Sequence, residues 1–392
     1  MNRAEATGSI LDARADALVA AYGRAGYARV TPAVLQPAEA FLDLSGEDIR
    51  ARMYLTTDAA GNDFCLRPDF TIPVAQAYLA SPVSGTPQGF SYLGPVFRDR
   101  GDGAGEILQA GVESFGRSDI AAADAEMLTL GIEATAHFGL PTPDIHIGDV
   151  GLFAALIEAL DLAPAWKRRL KKDFNRKSNL TQDLDRLTLG VSNGGADYQG
   201  VLAALAGSDP KAAHALVTDL LSIAGITTVG GRSVGEIADR FLEQSALGAS
   251  AALPKATRAL IENFLAIAGQ PDDCLAQLRK LAGGAGIALS PALDLLETRI
   301  GFLAARGIDV GRVAFASAFG RGMDYYSGFV FELHDPAGRN PSPRNPSASM
   351  SGPLVAGGRY DGMLQRLGAK QTIPAVGFSA WIERLAACGA RR

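Results

Sequence analysis

The sequence has few of the residues that build metal centres, disulfide frameworks and histidine-based catalytic groups. Among its 392 residues are four histidines and three cysteines, Cys65, Cys274 and Cys388. The cysteines are far apart and odd in number, so they match neither a zinc-binding spacing nor a disulfide framework. The scattered histidines form no Ser-His-Asp grouping. We therefore expect buried free thiols, no metal and no cofactor, in a reducing cytoplasmic compartment.

Long apolar runs and an excess of positive charge are missing too. No run approaches the ~20 apolar residues that a membrane-spanning helix needs, and acidic residues interrupt the N-terminus, unlike a signal peptide. The net charge is −5, whereas proteins that bind nucleic acid usually carry a basic surface. The run "WKRRLKKDFNRK" at 166–177 favours a solvated helix face over RNA contact or docking to an acidic partner. Those two alternatives stay open.

The patterning predicts strands joined by turns at both ends of the chain. A hairpin is expected at 53–66, with further strands at 89–99 and 107–116. On the last of these strands, Gln109 and Glu113 share one face because side chains repeat every two residues. Near the N-terminus a helical stripe is expected to begin at a Ser9 cap. No P-loop and no G-x-G-x-x-G motif follows a strand.

The pattern of apolar and polar residues in the middle of the chain differs from that at both ends. Alternating patterns disappear between 160 and 290, where Ala- and Leu-rich helical windows dominate. The sequence therefore predicts a core formed by 1–159 and 291–392 with a helical insertion at 160–290. Because hairpins rather than regular βαβ units connect the strands, we expect an α+β core with an antiparallel sheet flanked by helices.

Three separated arginines could bind an anion. Arg98, Arg321 and Arg384 each lie close to the place where a predicted strand meets a turn, which is where rigid sheets present ligand contacts. Guanidinium is planar and can bind carboxylate or phosphate with two hydrogen bonds. The acids Asp69 and Glu113 could hold an ammonium group. Since an amino acid carries both charges, convergence of these side chains would suit an amino-acid site.

Structural alternatives remain for the same residues. Ion-pair networks without function are common. Arg67, Arg98 and Arg384 could simply pair with neighbouring acids, which are Asp69, Asp99 and Glu383. The tyrosine pair at 325–326 could be core aromatics that face opposite sides of a strand.

Taken in order, several segments resemble the class II aminoacyl-tRNA synthetase core, and in particular its histidyl-tRNA synthetase subgroup. "GPVFR" resembles the second class II motif and "GFSAWIERL" the third, while "RGMDYYSG" and "AGGRYDG" are similar to the two histidine-binding signatures. The further matching segments are "AGYARVTPAVL", "LRPDFT" and "QAGVESFG". The resemblance covers about residues 20–120 and 310–390.

This resemblance implies a pocket for histidine beside a nucleotide site. In the family, acidic, hydroxyl and amide side chains line the amino-acid pocket, two arginines bind ATP, a further arginine assists carboxylate activation, and tyrosines enclose the imidazole. The residues at those positions are Asp69, Thr71, Gln109 and Glu113 for the pocket, Arg98 and Arg384 for ATP, Arg321 for the carboxylate, and Tyr325, Tyr326 and Tyr360 for the imidazole. Arg98 is counted with the histidine pocket as well.

Departures from the synthetase pattern point to a related family. The chain stops shortly after "IERL", where a histidyl-tRNA synthetase continues into an anticodon-binding domain. The loop between Arg98 and Gln109 is short and, beyond Arg100, lacks basic residues. Asp69 stands where the synthetase usually has glutamate. Together with the acidic net charge, these features predict no tRNA binding. They favour the synthetase-like family of regulatory subunits of the short-form ATP phosphoribosyltransferase.

That family implies a non-catalytic chain that forms a homodimer within a hetero-oligomer. The hetero-oligomer contains a catalytic ATP phosphoribosyltransferase subunit, which carries out the first step of histidine biosynthesis. The chain activates this catalytic subunit and makes it sensitive to histidine. No strand ends in an acidic pair followed by a Gly/Thr phosphate loop, as a phosphoribosyl pyrophosphate site would need. Two alternatives remain open. A free-standing histidine-activating, adenylate-forming or histidyl-tRNA synthetase-like enzyme is conceivable because Arg98, Arg321 and Arg384 are all present. The other is an interaction module with an empty pocket.

Overall fold

A computed structural model describes most of the chain, and contacts divide it into two units. The described residues are 3–99, 101, 105–189, 215–216, 218–219, 223, 228–229, 232–233, 252–339 and 352–389. The first unit comprises Met1–Phe153 with Phe264–Arg392, and the second comprises Ala154–Asn263.

A nine-stranded sheet forms the centre of the first unit. The strands of the described chain are β1 (Ala28–Arg29), β2 (Leu35–Pro37), β3 (Leu55–Thr57), β4 (Asp63–Leu66), β5 (Gln88–Phe97), β6 (Glu106–Phe115), β7 (Asp144–Asp149), β8 (Thr228–Val229), β9 (Arg232–Ser233), β10 (Ala268–Gly269), β11 (Val313–Ala316), β12 (Phe329–His334), β13 (Val355–Arg359) and β14 (Ala375–Trp381). The large sheet has the order β1-β5-β6-β14-β13-β12-β7-β11-β10. Among the described residues of this sheet, β1–β5 and β7–β11 pair in parallel and the other pairs are antiparallel.

Two smaller sheets complete the strand pairing. Strands β2, β4 and β3 form an antiparallel three-stranded sheet, in which β3 and β4 are the hairpin expected at 53–66. In the second unit, β8 pairs with β9. The strands expected at 89–99 and 107–116 are β5 and β6, which pair along their whole length. Helices around a mainly antiparallel sheet confirm the predicted α+β class.

The described residues of the two units form helices as well as strands. The helices are α1 (Arg3–Arg24), α2 (Glu39–Leu44), α3 (Gly46–Arg50), α4 (Thr71–Ala80), α5 (Ile120–His137), α6 (Val150–Ala159), α7 (Pro164–Asp173), α8 (Lys177–Leu189), α9 (Lys255–Leu265), α10 (Pro271–Ala285), α11 (Ser290–Ala305), α12 (Met363–Arg366) and α13 (Ile382–Gly389), with short 3-10 helices at Val310–Arg312 and Pro336–Arg339. Helix α1 begins before Ser9, so the expected cap at Ser9 is wrong. No helix in the described part of the chain combines the length and apolarity needed to cross a membrane.

Helix α5 covers one face of the sheet and leaves the other for the site. It buries Met127, Leu128 and a row of small residues. Gly131 packs so closely on β12 and β13 that an added Cβ would lie 3.2 Å from Val355 and 3.3 Å from Leu333. Because successive side chains alternate between faces, the neighbours of Val355 and Leu333 point to the opposite face.

In the second unit, the basic run at 166–177 lies mainly on α7 and is held by ion pairs. Its partners are acids of the same unit: Lys171 binds Glu158 at 2.5 Å, and Arg169 binds Asp173 and Asp183 at 2.7 Å each. These pairs favour a structural helix face over an RNA-binding surface.

The helical insertion predicted at 160–290 stays a prediction. Much of its middle, including 190–214 and 234–251, lies outside the described residues. At its C-terminal end, the segment from Phe264 onward belongs to the first unit.

Candidate functional site

Strand register brings the predicted site residues to one face of the sheet. In the pairing of β6 with β14, Gln109 lies opposite Trp381, Gly111 opposite Ser379 and Glu113 opposite Gly377. On the other side of β6, Tyr92 of β5 lies opposite Gly111. Directly paired residues share a face, so a continuous polar strip crosses three strands on the side away from α5.

A cavity opens above this strip. The empty space within it, which includes open solvent at its mouth, amounts to about 320 Å³. Its lining residues are Asp69, Thr71, Arg98, Gln109, Arg321, Met323, Tyr325, Tyr326, Tyr360, Gly377, Phe378, Ser379 and Trp381. The structure therefore brings every predicted site residue to the cavity wall except Glu113 and Arg384.

Glu113 lies beneath the cavity floor and holds its walls together. The Thr71 hydroxyl donates to Glu113 Oε1 at 2.8 Å, and the Tyr92 hydroxyl donates to the same oxygen at 3.4 Å. The Tyr360 hydroxyl donates to Oε2. Burial raises the pKa of Glu113 to about 8, although these hydroxyl donors oppose the shift. Glu113 thus orients two lining residues, Thr71 and Tyr360, without lining the cavity itself.

The raised pKa of Glu113 predicts that stability falls as the pH rises from about 4.5 to about 8. The carboxyl group ionises near pH 4.5 in the unfolded chain and near pH 8 in the folded protein. Between those two pH values, it takes up a proton when the chain folds. The unfolded state then binds fewer protons, so the free energy of unfolding declines as pH rises, by at most about 1.4 kcal/mol per pH unit. We expect urea denaturation between pH 5 and 9 to show this decline in the wild type. The decline with pH should be smaller in Glu113→Gln. An equal decline in the two proteins would contradict the assignment of the raised pKa to Glu113.

The close packing over Glu113 requires glycine at position 377. A Cβ at Gly377 would overlap Glu113 Oε2 and lie 2.6 Å from the carbonyl oxygen of Val112. Gly377→Ala should therefore lower the free energy of unfolding by about 1–3 kcal/mol through overpacking. The control is Gly301→Ala within α11, where an added Cβ meets nothing within 4 Å. That variant should gain about 0.5–1 kcal/mol. Equal effects of the two substitutions in chemical denaturation would contradict the packing argument.

Two lining side chains present buried polar atoms that no protein group satisfies. Asp69 Oδ2 and both side-chain atoms of Gln109 have no hydrogen-bond partner, although the residues are only 2% and 0% exposed. The other oxygen of Asp69 accepts from the backbone N–H of Ile72 at 3.2 Å. Burial raises the pKa of Asp69, and Arg98 opposes that shift. Such buried groups are costly, and a ligand with hydrogen-bond donors and an acceptor would satisfy them.

Arg98 and Arg321 supply positive charge to the cavity. Arg98 Nε donates to the carbonyl of Pro68 at 2.7 Å, and burial lowers the pKa of its guanidinium, with nearby Arg321 contributing. Arg321 Nη1 donates to the Tyr326 hydroxyl at 2.5 Å, and its Nε donates to Glu332 at 3.2 Å. The cavity therefore combines two guanidinium groups with an acid and an amide.

Arg384 stands behind the cavity wall. Its Nη1 donates to the carbonyl of Pro353 at 2.8 Å, and its guanidinium lies 5.0 Å from the ring centroid of Trp381, which lines the cavity. Arg67 likewise donates to backbone, at 2.9 Å to Pro95 and 2.5 Å to Pro32. Backbone carbonyls thus hold both of these arginines, as they hold Arg98.

Several features of the site were not predicted from the sequence. The tyrosine pair is not in a strand, because Tyr325 and Tyr326 lie in the connection between β11 and β12, and both line the cavity. Ser379, whose hydroxyl lies 2.9 Å from that of Tyr92, and Trp381 were not singled out. Their place at the cavity follows from the register of β14 against β6, which the local sequence does not reveal.

The described residues hold no metal-binding cluster of three His, Cys, Asp or Glu side chains. The three cysteines are buried free thiols, as the sequence predicted.

A family model of histidyl-tRNA synthetase matches residues 10–229 and 212–385 of the chain. A curated ATP phosphoribosyltransferase regulatory subunit from Allorhizobium ampelinum is 39% identical over 382 residues, which are 96% of this chain and 98% of the relative. The chain belongs to the family of ATP phosphoribosyltransferase regulatory subunits. A regulatory subunit of the same name from Mesorhizobium japonicum is 38% identical, with 91% of this chain and 92% of the relative covered. The family resemblance predicted from the sequence is confirmed.

Solved structures similar to this regulatory-subunit family member confirm its fold. A Bacillus halodurans protein, titled an ATP phosphoribosyltransferase regulatory subunit/histidyl-tRNA synthetase, aligns with a TM-score of 0.63 and 20% identity, covering 99% of this chain and 80% of that one. The histidyl-tRNA synthetase of Nostoc sp. PCC 7120 aligns with a TM-score of 0.61 and 18% identity, covering 98% and 72%. At these identities the likeness shows the class II synthetase fold alone.

Proposed function

We propose that this chain is the non-catalytic regulatory subunit of an ATP phosphoribosyltransferase and acts with a separate catalytic subunit in the first step of histidine biosynthesis. Family membership over almost the whole chain supports this function. The lack of a recognisable phosphoribosyl pyrophosphate loop in the sequence supports placing the transfer chemistry in the partner. The three free cysteines fit a cytoplasmic location.

The cavity is the histidine site of this subunit. The observation that carries the assignment is the pair of unsatisfied side chains, Asp69 and Gln109, facing a cavity that also holds Arg98 and Arg321. Asp69 suits the α-amino group of an amino acid, and the guanidinium groups suit its carboxylate. The tyrosine-rich wall suits an imidazole ring.

Histidine binding in this cavity is coupled to the activity of the catalytic partner. Such coupling between two sites typically amounts to ~1–3 kcal/mol, and it is reciprocal for binding. The subunit forms a homodimer within the hetero-oligomer and does not bind tRNA. The acidic net charge and the short loop after Arg98 support the latter.

Reconstitution tests this function. The full chain is co-purified with the catalytic subunit, and transferase activity is measured with each chain alone and with both, with and without L-histidine. The expected result is activity that needs this chain and falls with histidine. In parallel calorimetry, L-histidinol should bind far more weakly because it lacks the carboxylate that the arginines would hold. A partner that is neither activated nor made histidine-sensitive contradicts the proposal.

Adenylate formation is the second candidate, favoured by the presence of Arg98 and Arg321 at one cavity with Arg384 behind its wall. In that case, Arg98 and Arg384 would contact ATP. Histidine-dependent exchange of pyrophosphate into ATP at high protein concentration would support it. No exchange in a sample that binds histidine would remove it and leave Arg98 and Arg384 as relics of a nucleotide site.

A further inference from the structure

Charged and imidazole side chains continue the polar strip of the sheet beyond the cavity. Ser379 of β14 lies opposite Ala356 of β13, which lies opposite Glu332 of β12. Glu332 in turn lies opposite His146 of β7. Because directly paired residues share a face, Glu332 and His146 point to the same side of the sheet as the cavity. The small side chain of Ala356 separates them from Ser379.

Glu332 connects this extension to an arginine of the cavity wall. Its Oε1 accepts from Arg321 Nε at 3.2 Å, and its Oε2 is bonded to His334 Nε2 at 3.0 Å. With Nη1 of Arg321 donating to Tyr326, two guanidinium nitrogens are fixed. We propose that Glu332 positions Arg321 for the carboxylate of the cavity's ligand, and that His334, acting through Glu332, makes this positioning depend on pH. The inference rests on the proposed histidine site.

The surroundings of His334 give the sign of the pH effect. Facing it are Glu332 on its own strand, Asp144 directly opposite on β7, and His146, whose ring centroid is 5.1 Å away. Asp335 follows it in the chain, with its side chain bonded to Cys388, and Ala356 of β13, which shares the face of His334, is uncharged. An imidazolium at His334 therefore meets the carboxylate of Glu332 and shares its face of the sheet with Asp144, whereas His146 opposes it only when it is itself protonated.

Protonation of His334 should fix Glu332 more firmly. A charge-assisted hydrogen bond is roughly twice as strong as a neutral one, so the imidazolium holds Oε2 and keeps Oε1 directed at Arg321. The pKa of Glu332 already lies below its usual value: burial acts to raise it, but His334 and Arg321 outweigh that effect. Because acid favours the imidazolium form of histidine, ligand binding should gain more from this contact at pH 6 than at pH 8.

Calorimetry of L-histidine binding to the full chain between pH 5.5 and 8.5 tests the pH dependence. The ligand titrates in this range too, but its own protonation is the same for all variants, so each variant is compared with the wild type at the same pH. We expect His334→Gln to bind about three- to tenfold more weakly at pH 6 and equally at pH 8, because glutamine can still donate a neutral hydrogen bond to Glu332. The matched control is His137→Gln, since His137 is bonded at the surface to the carbonyl of Arg14. It should follow the wild type throughout.

Glu332→Gln tests the positioning itself. It should weaken binding about tenfold at every pH, because the charge that orients Arg321 is removed. A His334→Gln variant that follows the wild type at all pH values overturns the pH dependence. A Glu332→Gln variant with wild-type affinity overturns the positioning role.

A measurement without ligand separates this inference from the proposed function. The Nε–H resonance of Arg321, which reports its bond to Glu332, should shift between pH 6 and pH 8 in the wild type. It should shift less in His334→Gln, where His146 is the imidazole that remains opposite Glu332. An unmoved resonance in the wild type overturns the inference, whether or not histidine binds. A shifting resonance in a protein that fails to bind histidine supports the coupling of Arg321 to His334 and contradicts the proposed ligand instead.

Discussion

Asp124→Asn should lower the free energy of unfolding by about 3 kcal/mol, because it removes the shared acid of a buried ion network. Asp124 is 0% exposed and accepts from Arg299 Nε at 2.9 Å and from Arg359 Nε at 2.8 Å. Arg299 also donates to Asp149 at 2.8 Å, and Arg359 to Asp361 at 2.8 Å. Since each arginine keeps another acid, the loss should lie near the lower end of the usual 3–5 kcal/mol for a broken buried pair.

The control for this prediction is an exposed ion pair. Arg279 binds Asp294 at 3.0 Å, and the two side chains are 46% and 60% exposed. Surface pairs are worth about 0–1 kcal/mol, so Asp294→Asn should change stability little. Urea denaturation of both variants at pH 7 measures the difference. Similar small losses would show that the buried network adds no net stability.

The buried ion network is also connected to the cavity wall along the chain. Arg359 ends β13 and directly precedes Tyr360, whose hydroxyl is bonded to Glu113 beneath the cavity. Asp124 is on α5, on the opposite face of the sheet from the cavity. The helix and the cavity wall are therefore joined through consecutive residues of one strand end, and damage to the network should reach the wall.

The sequence contained the local parts of this site but not its long-range contacts. The period-two pattern of β6 placed Gln109 and Glu113 on one face, and the strand–turn boundaries indicated the three arginines. The family resemblance added Thr71 and the role of the tyrosines. Ser379 and Trp381 escaped notice because their role depends on which strand pairs with β6, and strand register is not a local property. Glu332 was missed for a similar reason, since its contact with Arg321 needs the loop before β12 to fold back on that strand.

The buried ion network was even harder to predict from the sequence than the strand pairing. Asp124 and Arg359 are separated by 235 positions, so no motif or spacing connects them. An acid within the small-residue face of α5 was a visible sign of a buried partner, because unpaired carboxylates are rarely buried. The identity of that partner required the fold. Similarly, the helix start expected at Ser9 was wrong because the preceding residues of α1 continue the helix to Arg3.

Asp69→Asn should weaken ligand binding and stabilise the ligand-free protein. We expect the affinity for L-histidine to fall about 100-fold, because loss of one partner of a buried charge contact costs about 2–5 kcal/mol. The stability of the ligand-free protein should rise by about 1 kcal/mol. Its buried carboxylate has an oxygen without a hydrogen-bond partner, and Arg98 only partly offsets that burial. Groups kept at a cost to stability are typical of functional sites.

Asp63→Asn is the matched control for this substitution, since Asp63 is exposed at the start of β4 and accepts from the Thr57 hydroxyl at 3.1 Å. It should leave both affinity and stability close to wild type. Calorimetry and thermal unfolding on the three proteins, without and with histidine, give both quantities. Wild-type affinity in Asp69→Asn would contradict the proposal that the cavity binds histidine. A fall in ligand-free stability would show that Asp69 serves the fold through its bond to Ile72 rather than the ligand.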